Sequence, residues 1–478
     1  MKYVLETEDY QSLLLFAYIE SSPTHVVSIK TIEAEFDLTY FKANRLMSNL
    51  IHDLEKLELD QYFYIEKENG EYLYKKNGLD SINRLLWMYS RRSLRFNLID
   101  YLLKNPEATI EEFSSEAYIS LTKAYKVRKS VRDFFKQYHL KGFETKTAQE
   151  ELRLRLVITQ LYYHAFKDYE TPFQPLEVQR ADYIVELLEN KQVVNIQSDA
   201  QRIFLKFYCL VSAVRSRQGY QFKVAPNWQH KVTQYQAIIV QAQAEFPQGM
   251  IGINENEIAY LLQMLDILHW ENDSQQATYA VPQVFKEQVG RILQTSFEQY
   301  SQLSELDLIN NPILEKLWVL CQKYYYDDNI VIDGFFYTNL GVFEENYYEL
   351  YQACETFIAE LEKRKLLRNI QNHKTFVMEM VMLALNNLDF ETFIPSVVIT
   401  INFSLGKAYN DFIEANLRAL PFANIQINNQ YSEQTDIYLA DVLSRKIESE
   451  YIIWNSPPNA ADWEIFGNLV ARIKGEKR

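Results

Sequence analysis

The fold of this chain is decided by residues 121–136, which read LTKAYKVRKSVRDFFK. At 100° per residue, the apolar residues of this stretch fall on one face of a helix, so that face is expected to pack in a core. The opposite face is basic, aromatic and hydroxyl-bearing. With Lys123 beside it, this face comprises Thr122, Tyr125, Lys126, Lys129, Arg132 and Lys136. The pattern favours a recognition helix that meets DNA phosphates and base edges, and the competing interpretation is an ordinary solvated helix.

The residues before this stretch predict the rest of a helix-turn-helix. A long helix is expected at residues 80–103, where Asn105-Pro106 ends it. A short helix follows at residues 109–116, and its start, Thr109-Ile110-Glu111-Glu112, is typical of a capping box. A turn at Tyr118-Ile119-Ser120 then leads into the basic helix.

A similar order of elements is predicted nearer the N-terminus. Helices are expected at about 9–19, 28–36 and 40–57, with Asp37-Leu38 as the turn and the Thr39 hydroxyl as a helix cap. The last helix is the expected recognition helix of this first unit. Opposite its predicted core face (Ala43, Leu46, Leu50, Leu54 and Leu57), the candidate base-contacting residues are Asn44, Arg45, Ser48 and His52.

A β-hairpin is predicted directly after that helix. Residues 62–74 contain two aromatic segments around Asn69-Gly70, and an Asn-Gly pair between strands is the strongest short-range hairpin signal. The hairpin carries three glutamates and one lysine, so its net negative charge opposes binding to DNA phosphates. We therefore expect a winged first unit that contributes less DNA affinity than the second.

Charge is distributed unevenly along the chain. The formal net charge of −15 by itself opposes a polyanionic partner. Residues 76–141, however, carry a net +6, against −7 for residues 1–75 and −14 for the remainder. Arg91, Arg92 and Arg95 add to this basic island and favour a DNA-binding segment carried on an acidic regulatory body.

The composition indicates a mainly α, multidomain protein, and the motifs that are missing predict that it is not an enzyme. Only 12 glycines and 12 prolines occur to force turns among 478 residues. The acidic N-terminus and the lack of a long uncharged apolar run predict a cytoplasmic protein that makes no use of a membrane. Cys209, Cys321 and Cys354 stand alone and predict buried thiols. Phosphate-loop, zinc-protease and nucleophile-elbow motifs are missing from the sequence, so we expect no cofactor, no metal and no catalytic residue.

The sequence resembles the Mga and AtxA type of virulence and global regulators of Gram-positive bacteria. The resemblance is carried by residues 119–131, ISLTKAYKVRKSV, which are similar to the family's second recognition helix, and by the order of the modules. It implies a homodimeric transcriptional regulator that binds double-stranded DNA. It also implies two helical PTS regulation domains (PRDs), phosphocarrier proteins of the sugar phosphotransferase system (PTS) as partners, and a C-terminal domain similar to EIIB.

The regulation domains depart from the family pattern at the residues that accept phosphate. Residues 253–262, INENEIAYLL, resemble the start of a helix that carries a phosphorylatable histidine, but Met264 stands at the expected position and Tyr208 at the other. His230, His269 and His373 remain as the candidate acceptors, with His164 as a further histidine. A lone histidine in a helix is more often a packing or surface residue.

The C-terminal residues predict a small α/β domain. Apolar strands at residues 397–401, 425–427, 437–439 and 451–454 alternate with helices, which is typical of a largely parallel sheet. This domain resembles the EIIB component, where the loop after the first strand holds a phosphorylated cysteine. The corresponding loop, residues 402–407, contains neither Cys nor His.

The expected domain boundaries follow from these modules. They are 1–76 for the winged helix-turn-helix, 77–165 for the second helix-turn-helix, 166–288 and 289–391 for the PRD-like bundles, and 392–478 for the EIIB-like domain. Two other functions stay open: a PRD-containing RNA-binding antiterminator, and a non-catalytic EIIB-like interaction or phosphocarrier protein. The helical N-terminal half argues against the first, and the basic helix with the cysteine-free loop argues against the second.

Overall fold

The computed structural model is mainly helical, with a small parallel sheet near the C-terminus. It forms two compact bodies: the C-terminal body contains residues 281–318, 339–365 and 373–478, and the N-terminal body contains the rest. The residues that the structure describes are 1–22, 25–68, 70–77, 82–223, 240–241, 244, 254–268, 283–300, 303, 306–325, 340–366, 373–388, 396–419, 424–443, 447–454 and 457–477.

The first 77 residues form three helices and three antiparallel strands, here called region 1. Its elements in chain order are α1 (Thr7–Ser21), β1 (Val26–Ser28), α2 (Ile29–Phe36), α3 (Tyr40–Lys56), β2 (Phe63–Glu68) and β3 (Glu71–Lys76). The predicted helices and hairpin are confirmed. The Thr39 cap is wrong in detail, because α3 begins after Thr39 without a side-chain cap hydrogen bond.

The hairpin has the register that its turn dictates. Glu68 pairs with Glu71 across a two-residue loop, and Gly70 has φ +90°, a conformation that glycine adopts without strain. The sequence did not indicate β1, which pairs with β3 so that Val26 lies opposite Leu73. A three-residue strand has too few positions to show an alternating pattern, so only its pairing partner reveals it.

Residues 82–166, here called region 2, form five helices joined by short loops. The elements are α4 (Ile82–Arg92), α5 (Leu94–Lys104), α6 (Ile110–Glu116), α7 (Leu121–Gln137) and α8 (Ala148–Phe166). The prediction of one helix over 80–103 is wrong, because the helix breaks at Ser93. The Ser93 hydroxyl accepts from the backbone N–H groups of Arg95 and Phe96 and donates to the Val4 carbonyl at 2.6 Å. This buried contact with the N-terminus ends α4 and starts α5.

Three further described helices complete the N-terminal body: α9 (Pro175–Asn190), α10 (Asp199–Arg217) and α11 (Glu255–Leu268). One continuous hydrophobic core runs from region 2 into this bundle, and it includes Phe96, Val131, Leu161 and Val211. Helix α8 therefore contributes to both parts. The predicted boundary at residues 165/166 falls within this shared core and stays a prediction.

The C-terminal body combines helices with the parallel sheet. Its elements are α12 (Gln283–Glu298), the first part of α13 (Ile313–Tyr325), α14 (Gly341–Asn346), α15 (Tyr348–Lys363), α16 (His373–Asn387), β4 (Ser396–Asn402), α17 (Lys407–Arg418), β5 (Asn424–Asn428), β6 (Ile437–Ala440), β7 (Glu450–Ile453) and α18 (Ala460–Glu476). The strands lie in the order β5-β4-β6-β7 and all pairs are parallel, which confirms the predicted sheet.

Candidate nucleic-acid interface

The basic helix α7 begins where the sequence predicts it. Ser120 caps it, with its hydroxyl accepting from the Lys123 backbone N–H, and Tyr118 before it adopts the left-handed conformation with φ 52°. The apolar face packs as expected. Its buried residues are Ala124, Val127, Val131, Phe134 and Phe135, and Tyr138 just beyond the helix is buried with them.

The opposite face of α7 is open to solvent. The seven predicted contact residues are all exposed: Thr122, Lys123, Tyr125, Lys126, Lys129, Arg132 and Lys136. We call these residues the basic face. Within the described chain, no carboxylate lies within ion-pair distance of Lys123, Lys126, Lys129 or Arg132, whereas Lys136 pairs with Asp133 at 3.3 Å. Four cations are therefore exposed without a counter-charge among the residues that the structure describes.

Helix α6 supports the start of α7. The predicted capping box is present, because the Thr109 hydroxyl accepts from the Glu112 N–H and the Glu112 carboxylate accepts from the Thr109 N–H at 2.7 Å. These contacts hold the pKa of Glu112 below its usual value. The Tyr125 hydroxyl donates to the Glu111 carboxylate at 2.8 Å and so ties α7 to α6. Tyr125 thus positions the helix pair, in addition to being exposed.

Three arginines of the basic island form contacts within the protein. Arg91 pairs with Glu170 at 3.0 Å, and both side chains are exposed. Arg92 pairs with Asp9 at 2.6 Å. Arg95 donates to the Leu5 carbonyl at 2.6 Å. Part of their charge is thus held by partners within the protein, and their contribution to DNA binding stays a prediction.

Arg92 also joins region 1 to region 2. Its guanidinium lies between Asp9 of α1 and Asp53 of α3, at 2.6 and 2.8 Å, and Tyr89 donates to Asp53 at 3.0 Å. Burial alone would raise the pKa of Asp53, but the hydrogen bond and charge of Arg92 hold it below its usual value. The recognition-helix candidates α3 and α7 are therefore carried on one cross-linked framework.

The candidate residues of α3 are placed less favourably for DNA than those of α7. Arg45 is exposed but pairs with Glu8 at 3.0 Å, and Asn44 is only half exposed. Ser48 and His52 are exposed as predicted. The predicted core face is confirmed except for Leu57, which is only partly buried.

Sequence reasoning missed three exposed aromatic residues beside the two helices. Tyr40 and Phe41 at the start of α3 are 62% and 75% exposed, and Tyr118 before α7 is 96% exposed. Helical spacing did not indicate them, because Tyr40 falls in register with the apolar face of α3 and Tyr118 precedes α7. Aromatic side chains at the N-terminal end of a recognition helix suit contacts with sugars or base methyl groups.

Four histidines were considered as phosphate acceptors, and the structure describes two of them. The Nε2 atom of His373 lies 2.6 Å from the Glu355 carboxylate. His164 is partly buried, and desolvation lowers its pKa far below the usual value. His230 and His269 lie outside the described residues.

The residues at the family's acceptor positions lie inside the helical bundle. Tyr208 and Met264 are almost fully buried and share one hydrophobic cluster between α8, α9, α10 and α11. Burial raises the pKa of the Tyr208 hydroxyl. The structure thus places both positions in a packed environment.

The loop after β4, which contains neither Cys nor His, carries Ser404. The Ser404 hydroxyl donates to the Asp441 carboxylate, and the Ser404 backbone N–H donates to the same group at 3.1 Å. These hydrogen bonds hold the pKa of Asp441 below its usual value. Because the carboxylate occupies the donors of the loop, it opposes a phosphoryl group there by charge and by competition.

No helix among the described segments has the length and apolar character that a bilayer crossing requires. Within the same segments, no group of three or more His, Cys, Asp or Glu side chains is arranged to hold a metal ion.

Comparison with known proteins identifies the family that region 2 resembles. Residues 79–162 match the model of the Mga helix-turn-helix domain, which covers α4 to most of α8. The chain is also 23% identical over 181 residues to the capsule synthesis positive regulator AcpB of Bacillus anthracis. That match spans 37% of this chain and 37% of AcpB, so it covers well under two thirds of the relative. The resemblance to Mga-type regulators is confirmed.

Proposed function

We propose that this protein is a dimeric transcriptional regulator that binds double-stranded DNA through α7, with α3 as a secondary contact. The observation that carries the proposal is the basic face, where four exposed cations have no carboxylate partner among the described residues. A helix that anchors one face in its domain and offers cations on the other fits a DNA groove and releases counterions on binding. The match of residues 79–162 to the Mga helix-turn-helix supports the same function.

Nucleic-acid preference tests the proposal directly. In gel-shift experiments the full chain is expected to bind duplex DNA more tightly than RNA hairpins of equal charge. The physical reason is the groove: the major groove of B-form DNA admits a helix, whereas that of A-form RNA is too deep and narrow. Tighter binding to RNA would favour the antiterminator, and binding to neither would favour the interaction or phosphocarrier protein.

The C-terminal sheet is proposed to serve assembly. The parallel sheet is present, while the loop after β4 lacks Cys and His and its Ser404 is bound by Asp441, which follows β6; a role in protein contacts would explain why the domain persists. Leu405 and Val442, beside that loop at the carboxyl ends of β4 and β6, are 67% and 65% exposed. Exposed apolar side chains at one edge suit a subunit contact.

Removing residues 392–478 is expected to lower the oligomeric state in sedimentation velocity. Leu405→Glu with Val442→Glu in the full chain should have the same effect, since exposed positions tolerate charge without loss of the fold. Ile465→Glu on α18, a residue 59% exposed, is the matched control and should leave the assembly unchanged. An unchanged dimer after both changes would place the interface in the helical bundles.

Phosphate control is proposed to be weak, with any label on His230, His269 or His373. A buried methionine and a buried tyrosine replace the acceptors of the first PRD-like bundle, and neither takes part in phosphohistidine relay. At His373 the Glu355 carboxylate already lies beside Nε2 and opposes an incoming phosphoryl group by like charge.

Incubation with the general phosphotransferase proteins and labelled phosphoenolpyruvate checks this prediction. Low stoichiometry is expected in the native chain, and Glu355→Gln should increase labelling at His373 by removing the repulsion. High stoichiometry retained after replacement of all three histidines would contradict the assignment. If phosphorylation controls this protein only weakly, a regulator of this architecture needs another signal, such as a bound ligand.

A further inference from the structure

A cavity lies between α9, α10 and α11 in the N-terminal body. Its empty volume, which includes space open to solvent at the mouth, is about 640 Å³. Most of its surface is apolar. The apolar side chains that line it include Ala181 and Ile184 of α9, Leu210 of α10, and Ile258 and Leu261 of α11.

Hydrogen-bond donors converge on this apolar cavity. Tyr208 and Ser212 lie one turn apart on α10, are 2% and 9% exposed, and line the cavity. Neither hydroxyl meets the geometry of a hydrogen bond with another described residue, and Ser212 lies close enough to Tyr208 to offset part of the rise that burial causes in the pKa of that hydroxyl. A buried polar group without a partner costs free energy, so a native structure that contains two of them at a cavity points to a ligand.

The charged groups of the lining are arranged to favour an acceptor. Arg180, a donor only, is 8% exposed and also lines the cavity. The two carboxylates of the lining are already engaged: Glu177 pairs with Arg217, and Glu257 pairs with Arg155 at 2.5 Å. Burial raises the pKa of Tyr208, which keeps its hydroxyl protonated and able to donate.

We propose that this cavity binds a small monocarboxylate with an apolar chain, whose carboxylate accepts from Tyr208, Ser212 and Arg180 while the chain packs among Ile184, Ile258 and Leu261. Three converging donors match a carboxylate, and a charge-assisted hydrogen bond is stronger than a neutral one. The apolar walls stabilise an alkyl chain by removing it from water, and they disfavour small inorganic ions that carry no such chain.

The position of the cavity links the ligand to regulation. Glu257 lines it and binds Arg155 of α8, the helix that region 2 shares with the bundle. A bound carboxylate therefore alters the charge environment one contact away from the DNA-binding region. This regulatory consequence rests on the proposed function, whereas ligand binding itself does not.

Calorimetric titration of the full chain with hexanoate, 1-hexanol and hexylamine tests the proposal. These probes share one apolar chain and differ in the head group. Hexanoate is expected to bind tightest, 1-hexanol more weakly and hexylamine not measurably, because the head groups accept progressively less well from three donors. Equal affinity for hexanoate and hexylamine, or no heat from hexanoate at millimolar concentration, would overturn the proposal.

Substitutions locate the binding site. Tyr208→Phe and Ser212→Ala each remove one donor and should weaken hexanoate binding about tenfold or more. The matched control is Tyr260→Phe, which removes a buried hydroxyl from α11 outside the cavity lining and should leave the affinity unchanged. Equal effects of Tyr208→Phe and Tyr260→Phe would refute the site. Gel shifts on the same samples report DNA binding separately, so a failure of either idea is recognised independently.

Discussion

Replacing Lys126 and Lys129 together by alanine is expected to weaken binding to every DNA duplex alike. Both side chains are exposed on the basic face without a protein counter-charge among the described residues, so each is free to neutralise a phosphate. Each lost phosphate contact lowers the slope of log Kobs against log salt by about 0.9, so the double variant should lose about two units of slope. Titrations at several salt concentrations, on specific and unrelated duplexes, provide the measurement.

A double variant of α3 is the matched control for this prediction. Lys42→Ala with Arg45→Ala removes the same charge from exposed positions of region 1. Its effect should be smaller, because Arg45 is paired with Glu8 and the first 75 residues carry a net −7. An equal or larger loss from α3 would reverse the ranking of the two helices and make region 1 the main source of affinity.

Arg155→Gln is expected to destabilise the protein by about 3–5 kcal/mol, the cost typical of removing one partner from a buried ion pair. Arg155 is fully buried on α8 and donates to Glu151 at 2.9 Å and to Glu257 at 2.5 Å. Arg215, also fully buried, binds Glu151 at 2.7 Å and the Phe143 carbonyl at 2.8 Å. Loss of Arg155 leaves the carboxylate of Glu257 buried without a counter-charge. Denaturant unfolding followed by circular dichroism measures the change.

The controls for this prediction separate buried from exposed pairs. Arg202→Gln breaks an ion pair with Glu189 whose side chains are about 40% exposed, and it should cost less than about 1 kcal/mol. Adding Glu257→Gln to Arg155→Gln removes the orphaned charge and should recover part of the loss. No recovery in the double variant would show that packing of the arginine, and not its charge, stabilises the bundle.

The pH dependence of Arg155→Gln has a defined sign. Burial raises the pKa of Glu257, and losing Arg155 raises it further. A carboxyl whose pKa is higher in the folded than in the unfolded state costs nothing below the unfolded pKa, where both states are protonated. Its cost grows as the pH rises from the unfolded towards the folded pKa. The deficit of the variant relative to the native chain should therefore shrink as the pH falls towards about 4.

The buried charge network gives the two functional parts of the N-terminal body a physical connection. Glu151 and Arg155 lie within the residues that match the Mga helix-turn-helix, while Arg215 and Glu257 belong to the adjoining bundle. The Phe143 carbonyl, bound by Arg215, lies just beyond the end of α7. Buried contacts therefore link Arg215 and Glu257 of the bundle to the residues that follow the basic helix.

The sequence alone determined the features that depend on neighbours within a few residues. The buried and basic faces of α7 follow from helical spacing, the Thr109–Glu112 capping box from a separation of three, and the hairpin from Asn69-Gly70. The sequence also predicted the C-terminal sheet, because its central strands are short segments that are apolar on both faces.

Tertiary structure decided everything that depends on residues far apart in the chain. Arg92 meets Asp9 across 83 residues and Arg155 meets Glu257 across 102, so no periodic pattern distinguishes these arginines from the exposed cations of α7. The break at Ser93 likewise depends on the distant Val4 carbonyl. Local spacing sets which face of a helix is polar, but only the packing of other elements decides whether a charge on that face is neutralised inside the protein or left for a partner.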